Sequence, residues 1–299
     1  MYDTIIIGAG PAGMTAAVYS ARQKMKTLVL TENIGGQTLL SQDIRNYLGY
    51  TFISGAELAD KFKKHVKEYS VDLKENEPAS DIERVRGGFL VKTETDTYMG
   101  KTIIICSGKK PRLLNAHGEK RFTGKGVTYC AICDGPLFGG KDVAIIGGGN
   151  SALTAALQML NIARKTYIVN MGSELGGEAI VREKIKKTEN IEIINNANIK
   201  RINGSKFVSS ISVRVNNGMR KIDVQGVIVE VGYIPNVEFA DIVTKNRDNE
   251  IIINCKTETN IPGVFAAGDV TDVCGKQIII AAGEGSKASI AAFQYASRT

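Results

Sequence analysis

Two segments of the chain share one pattern: a β-branched run, a glycine-rich turn, and an alanine-rich helix with no proline after the turn. The segments are TIIIGAGPAGMTAAVYSARQ at 4–23 and VAIIGGGNSALTAALQML at 143–160. In such a unit, glycine allows the tight turn, lets the backbone approach a pyrophosphate and permits close packing of helix on strand. The 299-residue chain therefore has room for two Rossmann-like units, each with its own core.

The order of strands and helices after each turn indicates how the two units are joined. The predicted elements are strands at 26–32, 165–170 and 190–195, a helix at 56–69, a hairpin on an Asn-Gly turn and a core strand within 209–232, and a terminal strand, loop and helix within 261–296. This order predicts an α/β protein of the two-dinucleotide-binding-domain flavoprotein type, with two Rossmann-like (three-layer ββα) domains. We expect a discontinuous FAD-binding domain at 1–109 and 239–299, with a continuous domain inserted at 110–238.

Composition excludes several classes of protein. Hydrophobic residues make up 43% of the chain and charged residues 23%, which is typical of a folded globular protein rather than a disordered or fibrous one. The longest apolar runs, such as 102–107, are far shorter than the roughly 18 residues that a membrane helix requires. The first strand follows Met1 directly, with no basic region before it. We expect a cytoplasmic protein that does not enter a membrane.

The formal net charge of +7 is concentrated in the middle of the chain. Residues 110–238 contain 18 Lys and Arg against 11 Asp and Glu, and the remainder is balanced. This excess is typical either of a solvated basic surface or of a surface that binds an acidic macromolecule. Nucleic acid is not predicted as a partner, because no basic-aromatic module accompanies the charge.

Five cysteines are present, and only Cys130 and Cys133 are closely spaced. A CxxC pair in a reducing compartment indicates redox or metal chemistry. A zinc site needs about four ligands, and the chain has no second CxxC pair near its two isolated histidines. We therefore predict no metal site. The other three, Cys106, Cys255 and Cys274, are predicted to be small buried hydrophobes.

The first glycine-rich turn has the features of a dinucleotide site. Gly8, Gly10 and Gly13 place a helix N-terminus behind a phosphate pair. Glu32 follows Gly13 by nineteen residues, which gives it the reach and charge to bind ribose hydroxyls. These features favour a dinucleotide with an unphosphorylated adenosine ribose, such as FAD. Asp269, in AAGDV at 266–270, is either an acceptor for ribityl hydroxyls or a turn residue.

The segment YCAICDGP at 129–136 combines two cysteines with an acid. Two intervening residues permit a tight disulfide at the start of a helical turn, where thiolate character is promoted. Asp134 stands next to Cys133 and is placed to exchange a proton with a departing thiolate. The alternative interpretation is an incidental buried CxxC with an acidic residue at a helix start.

Six motifs, in this order and spacing, resemble the low-molecular-weight thioredoxin reductases over nearly the whole chain: GAGPAG, GGQ followed by NYLG, CAICDG, GGGNSA, GYIPN and AAGDV. The CxxCD inside the second Rossmann-like unit is the diagnostic part. The resemblance implies bound FAD and a homodimer. One departure is Arg45, where that family often has an acid before the Asn. The cofactor-binding positions indicated by the residues and by the resemblance are Gly8, Gly10, Pro11, Ala12, Gly13, Glu32, Gly36, Gln37, Asn46, Gly108, Gly268, Asp269, Gln277, Ile278 and Ile279.

The resemblance also assigns roles to the dithiol. It implies that Cys133 faces the flavin, that Cys130 attacks the disulfide of thioredoxin, and that Cys133 resolves the mixed disulfide. Reduced FAD would supply two electrons to the Cys130–Cys133 disulfide. The three catalytic positions are therefore Cys130, Cys133 and Asp134.

The segment TYIVNMGSELGG at 166–177 lacks what an ordinary member of that family needs there. Bases that would hold the 2′-phosphate of NADPH are replaced by Asn170, Met171, Gly172 and Gly176. An NADH enzyme would instead have an acid near Asn170, and Glu174 lies several residues late. The turn glycines are then explained by close packing of strand and helix rather than by nucleotide binding.

A flavoenzyme without a pyridine nucleotide needs another reductant, and the basic excess in the same domain favours an acidic protein carrier. The sequence resembles the ferredoxin-dependent flavin thioredoxin reductases, which implies reduced ferredoxin as the donor. Two alternatives stay open: a thioredoxin reductase that uses NAD(P)H or a reduced deazaflavin, and a flavin-binding sensor in which the CxxC signals without turning over.

Overall fold

The computed structural model describes residues 1–41, 44–216 and 218–298, which form two compact units. Unit 1 consists of Met1–Leu39, Tyr47–Lys110 and Ile234–Thr299, and unit 2 of Leu40–Asn46 and Pro111–Tyr233. Residues 234–238 therefore fall in unit 1 and not in the inserted domain expected from the sequence. Residues 40–46 likewise fall in unit 2 and not in the discontinuous domain.

The first part of the chain forms most of the sheet of unit 1. Its elements are β1 (Tyr2–Ala9), α1 (Pro11–Arg22), β2 (Thr27–Ile34), α2 (Gly55–Lys67), β3 (Val71–Glu75), β4 (Asp81–Val85), β5 (Gly88–Lys92), β6 (Thr97–Ile105) and β7 (Lys109–Pro111). The sheet order is β3-β2-β1-β6-β5-β4, with parallel pairing from β3 to β6 and antiparallel pairing from β6 to β4. Ile5 and Ile6 point to opposite faces of β1 and are both fully buried, as expected for a central strand covered on both sides.

The middle of the chain forms unit 2. Its elements are α3 (Glu119–Phe122), β8 (Val127–Thr128), α4 (Ala131–Asp134), β9 (Asp142–Ile146), α5 (Asn150–Met159), β10 (Lys165–Val169), α6 (Ala179–Lys186), β11 (Ile191–Ile194), β12 (Ala197–Gly204), β13 (Val208–Val215), β14 (Gly218–Asp223), β15 (Gly226–Val229) and β16 (Tyr233–Pro235). A parallel sheet runs in the order β11-β10-β9-β15-β8, beside an antiparallel sheet β12-β13-β14. The predicted hairpin and core strand are confirmed, but Asn217 of its Asn-Gly turn lies outside the described residues.

The last part of the chain returns to unit 1 as β17 (Val264–Ala266) and α7 (Ile278–Ala296), so the predicted terminal strand and helix are confirmed. β17 pairs in parallel with β6. Helix α7 approaches α1 closely, because a Cβ on Gly285 would lie 2.0 Å from the carbonyl oxygen of Ala12. The Ser20 and Ser289 hydroxyls also form a buried hydrogen bond of 2.8 Å between these two helices. Within the described ranges, no helix has the length and apolar character needed to cross a membrane.

Candidate functional site

The turn between β1 and α1 is crowded at two glycines and open at a third. Gly8 has a φ of +103°, and a Cβ on Gly13 would lie 1.8 Å from the carbonyl oxygen of Gly8. Gly10 is the N-cap of α1, and a Cβ there would meet nothing within 4 Å. Chain packing therefore explains Gly8 and Gly13, whereas Gly10 leaves free space at a helix N-terminus. Backbone N–H groups and the helix dipole favour a phosphate at such a place.

The residues predicted after the second strand also lie in unit 1. Glu32 is exposed on β2. Gly36 begins a 3-10 turn with a φ of +53° and donates its N–H to Asn33 Oδ1 at 3.2 Å. Gln37 Nε2 donates to Asp269 Oδ2 at 3.3 Å, so the turn after β2 is joined to the AAGDV motif at the opposite end of the sequence.

Charged groups around Asp269 were missed by the sequence analysis. Lys109 Nζ lies 2.5 Å from Glu250 Oε1, and Lys276 Nζ lies 3.3 Å from the same oxygen. Burial raises the pKa of Asp269, and the positive charges of Lys276 and Lys109 offset part of that rise. Lys109 directly follows the motif residue Gly108, and this adjacency was the available signal in the sequence.

The other predicted cofactor positions in unit 1 lie near the same turn. A Cβ on Gly36 would stand 3.5 Å from the Cα of Gly10, and one on Gly268 would stand 3.0 Å from the Cβ of Ala12. Gly108, with a φ of +64°, leaves open space of its own. Three more predicted positions start helices: Pro11 begins α1, Gln277 is the N-cap of α7, and Ile278 and Ile279 form its first turn. Asn46 is exposed and belongs to unit 2.

In unit 2, Cys130 and Cys133 are joined in a disulfide with a Cα–Cα distance of 5.3 Å. Cys130 is the N-cap of α4, in an extended conformation, and its Sγ accepts a hydrogen bond from the Cys133 N–H at 3.2 Å. A backbone donor directed at this sulfur stabilises negative charge on it, which favours the thiolate once the disulfide is reduced.

Asp134 ends α4 and is buried. Its Oδ2 accepts a hydrogen bond of 2.5 Å from Thr128 Oγ1, and that hydroxyl oxygen accepts the Cys130 N–H at 3.1 Å. Thr128 therefore links the predicted acid to the backbone of the first cysteine. The CxxCD motif contains no sign of this threonine, because it lies upstream at the end of the short strand β8.

A second group of hydrogen bonds fixes the strand that leads into the disulfide. Tyr129 donates its hydroxyl to Glu119 Oε1 at 2.9 Å, and the Leu114 N–H donates to the same oxygen at 2.9 Å. The Tyr233 hydroxyl donates to the backbone oxygen of Tyr129. Burial, reinforced by Glu119, raises the pKa of Tyr129. The phenol stays neutral and acts as a positioning group for the cysteine that follows it.

The second glycine-rich turn borders a cavity of about 550 Å³ that lies within unit 2. A Cβ on Gly147 would lie 2.3 Å from the carbonyl oxygen of Glu230, and one on Gly148 would lie 2.2 Å from Asn170 Oδ1. A Cβ on Gly149 would meet nothing within 4 Å. Packing therefore accounts for the first two glycines but not for the third, which faces the cavity.

Asn170 is buried at the end of β10, and its side chain is used to hold the loop that follows. Its Nδ2 donates to Gly172 O at 3.1 Å, Glu174 O at 2.8 Å and Asn195 Oδ1 at 2.9 Å, and its Oδ1 accepts the Gly172 N–H at 3.2 Å. Both polar ends of the amide are therefore occupied within the protein. A ribose would have to displace these bonds to gain a contact with this side chain.

Glu230 lines the same cavity and was missed by the sequence analysis. It directly follows β15, whose four residues are all buried. Burial raises the pKa of its carboxyl group to about 7. The available signal was a lone charge within the otherwise apolar run GVIVEVG at 226–232.

The three remaining cysteines differ in environment. Cys106 is buried as predicted, and burial raises the pKa of its thiol. Cys255 and Cys274 are exposed, so the prediction of buried hydrophobes was wrong for these two. Both lie in irregular segments outside the strands and helices, where no core is available to cover a small side chain. Among the residues that the structure describes, no group of three His, Cys, Asp or Glu side chains is placed to hold a metal ion.

Two dinucleotide-type α/β units, with an open phosphate-type turn in one and a CxxC disulfide in the other, define the class of flavoprotein disulfide oxidoreductases. The chain belongs to the pyridine nucleotide-disulphide oxidoreductase family, whose model matches residues 2–292. FAD is the cofactor of this family, and the open turn at Gly10 fits it. The predicted α/β fold class is confirmed.

Individual proteins show how far the similarity extends. The chain is 42% identical to the F component of alkyl hydroperoxide reductase in Escherichia coli, over 100% of this chain and 59% of the relative. It is 38% identical to an NADH dehydrogenase of Bacillus subtilis, over 98% of this chain and 58% of the relative. The crystal structure of thioredoxin reductase from Streptococcus pyogenes matches with a TM-score of 0.95 and 34% identity, covering 100% of this chain and 99% of that one. The chain thus spans about three fifths of the curated relatives named here, and the full length of the solved thioredoxin reductase.

Proposed function

We propose that this protein is a flavin-dependent thioredoxin reductase that passes electrons from reduced ferredoxin, through FAD and the Cys130–Cys133 disulfide, to thioredoxin. The observation that carries the proposal is the CxxC disulfide, with a backbone N–H donating to Cys130 Sγ, in a chain whose other unit fits FAD. The full-length match to a solved thioredoxin reductase supports the same acceptor. Like that class of enzyme, the protein is proposed to act as a homodimer.

The residues around the disulfide support thiol–disulfide exchange. Bound FAD would supply the two-electron reduction of this disulfide. Cys130 is then the attacking thiolate, because its sulfur accepts the Cys133 N–H. Asp134 holds the proton that the departing Cys133 sulfur takes up or releases, and Thr128 orients its carboxyl group. Ile132, between the cysteines, is 52% exposed and offers an apolar contact to a protein substrate.

Two observations support ferredoxin as the donor. The Asn170 amide is occupied by its own loop, so the position where a nucleotide-binding unit grips the ribose supplies neither a base nor an acid. Residues 111–233 contain 17 basic and 10 acidic side chains, which favours an acidic protein partner. Reduced ferredoxin delivers one electron at a time, so two deliveries are needed for each disulfide.

A pyridine nucleotide is the second candidate donor. The cavity beside Gly149 is open, and the Bacillus subtilis relative carries the name NADH dehydrogenase. Both observations favour NADH over NADPH, since no base stands at the 2′-phosphate position. A reduced deazaflavin is a further candidate that the same assay tests.

Anaerobic reduction of thioredoxin, with each donor supplied separately, tests the proposal. The expected result is turnover with reduced ferredoxin and little with NADPH, NADH or a reduced deazaflavin. Brisk turnover with either pyridine nucleotide contradicts ferredoxin as the donor and supports the second candidate. Flavin bleaching without thioredoxin turnover under any donor indicates a flavin and dithiol redox sensor instead.

The dithiol is tested with single cysteine variants. Cys130→Ser is expected to lower thioredoxin turnover by at least about a thousandfold, because the attacking thiolate is lost. Cys133→Ser is expected to form a stable mixed disulfide through Cys130 with a single-cysteine thioredoxin activated by a thionitrobenzoate leaving group. Cys255→Ser is the matched control, since it removes an exposed thiol outside the CxxC. Equal turnover of Cys130→Ser and Cys255→Ser would exclude the assigned role.

A further inference from the structure

Glu230 stands where the central strands of unit 2 end, directly against the second glycine-rich turn. Its N–H donates to the carbonyl oxygen of Ile146, the last residue of β9, at 2.8 Å. Its own carbonyl oxygen lies 2.3 Å from the position that a Cβ on Gly147 would take. Nucleotides bind at the carboxyl ends of the strands in such units, so Glu230 occupies the edge where a nucleotide would enter.

The cavity beside Glu230 has the shape of a phosphate site but carries an acid within it. Gly148, Gly149 and Asn150 form one wall, where helix α5 begins and its N–H groups favour an anion. Among the residues that line this cavity, Arg112 and Glu230 are the charged ones. Arg112 is exposed, whereas Glu230 is half-buried.

The charge of Glu230 is not neutralised nearby. Its carboxyl group has no hydrogen bond or ion pair with any other described residue, and burial alone raises its pKa to about 7. The neighbouring walls add no other titratable group, since the end of β10 contributes Asn170 and Met171 and the start of β12 contributes Ala197, Asn198 and Ile199. Arg112 is thus the one cation opposite Glu230 within this lining.

We propose that Glu230 controls the entry of diphosphate-bearing adenine nucleotides into the unit 2 cavity, repelling them as a carboxylate and admitting them as a carboxylic acid. The ligand class is one with an unphosphorylated ribose, because the loop after β10 offers no base. The inference deepens the proposed function, on which it rests, by naming the side chain that keeps pyridine nucleotides out. A diphosphate diester keeps both negative charges from pH 6 to pH 8.5, so any change of affinity in that range belongs to the protein.

The test measures binding of ADP-ribose to the FAD-loaded protein by isothermal titration calorimetry at pH 6 and pH 8.5. ADP-ribose carries the diphosphate and both riboses without a redox group, and bound FAD keeps it from the site in unit 1. Wild-type affinity is expected to fall by roughly tenfold to a hundredfold between the two pH values, as repulsion from a charged carboxylate predicts. Glu230→Gln is expected to bind at pH 8.5 about as tightly as the wild type does at pH 6, with little dependence on pH.

Glu189→Gln is the matched control, because it removes the same charge from an exposed position outside the cavity lining. It is expected to follow the wild type. Equal affinity of the wild type at both pH values, no gain for Glu230→Gln, or no binding by either protein would each overturn the proposal. The wild-type pH series decides the matter even if Glu230→Gln fails to fold.

The proposed donor fails by a different measurement. Rapid thioredoxin turnover with NADH at pH 8.5 would contradict ferredoxin as the donor. Weak binding of ADP-ribose that is independent of pH would contradict the role of Glu230 alone.

Discussion

The two glycine-rich turns have the same backbone plan and different surroundings. In the first, a Cβ on Gly13 would stand 1.8 Å from the Gly8 carbonyl oxygen, so helix and strand are in direct contact. The second turn has Ala152 at the position equivalent to Gly13. Beyond the turns, Glu32 is exposed at the end of β2, whereas Asn170 is buried at the end of β10. Turn glycines therefore report a packing requirement that both units share, and the residue after the second strand reports whether a nucleotide is held.

The largest expected effect breaks the first turn. Gly13→Ala places a methyl group against a backbone oxygen that cannot move without shifting β1. We expect a loss of about 3 kcal/mol or more in the free energy of unfolding, together with loss of bound FAD. Urea denaturation followed by circular dichroism measures the first quantity, and flavin absorbance after gel filtration measures the second.

Ala152→Gly is the matched change in the second turn. It removes a methyl group from a helix that already accommodates it, so the expected loss is about 1 kcal/mol with FAD retained. Similar losses for the two variants would contradict the difference in helix–strand contact between the turns.

The next effect concerns the residue after the second strand of unit 2. Asn170→Asp supplies the acid that an NADH-binding unit has there, but it also removes the amide that donates to three oxygens. A carboxylate facing those acceptors is expected to lower the free energy of unfolding by about 2 to 3 kcal/mol. NADH binding, followed by fluorescence titration, is not expected to improve.

Asn195→Ala serves as the milder comparison, because it takes away one acceptor and leaves the Asn170 amide its two backbone partners. Its expected loss is about 1 kcal/mol. A stable Asn170→Asp variant that binds NADH tightly would show that the loop is not held by this side chain.

Glu230 gives the second unit a pH dependence that the first turn lacks. The pKa of this group in the folded protein is about 7, above its ordinary value of 4.5, so the folded state binds more protons between these two pH values. Stability contributed by this group therefore falls as pH rises through that window and stays low above pH 7. Since the side chain is half-buried, we expect Glu230→Gln to exceed the wild type by about 1 to 2 kcal/mol at pH 8.

At pH 5 the same two proteins are expected to have nearly equal free energies of unfolding, because Glu230 is then protonated. Urea denaturation at both pH values measures the difference, with Glu189→Gln as the exposed control. A constant difference between wild type and Glu230→Gln across the range would mean that burial does not perturb this carboxyl group.

Sequence periodicity located the strands and helices well, because β-branched runs and alanine-rich helices follow directly from local steric preference. The exposure of Cys255 was not accessible in that way, since burial depends on which segments cover an irregular loop. The same holds for the Asn170 hydrogen bonds, which join it to Asn195, twenty-five residues away. Glu230 carries its signal in the strand pattern, but its meaning depends on the cavity formed by the turn beside it.

The smallest expected effect on stability comes from Glu32, the counterpart of Asn170 in unit 1. Glu32 is exposed, so Glu32→Ala should change the free energy of unfolding of the apoprotein by no more than about 0.5 kcal/mol. Its expected effect is on the cofactor, because a carboxylate that binds ribose hydroxyls contributes about tenfold in affinity. Equilibrium dialysis of FAD against wild type and Glu32→Ala measures that change, with Glu68→Ala as a control at an exposed glutamate outside the predicted cofactor positions. Unchanged FAD affinity would remove the distinction between the ends of β2 and β10, and the open turn at Gly10 would then be the main basis for the difference between the two units.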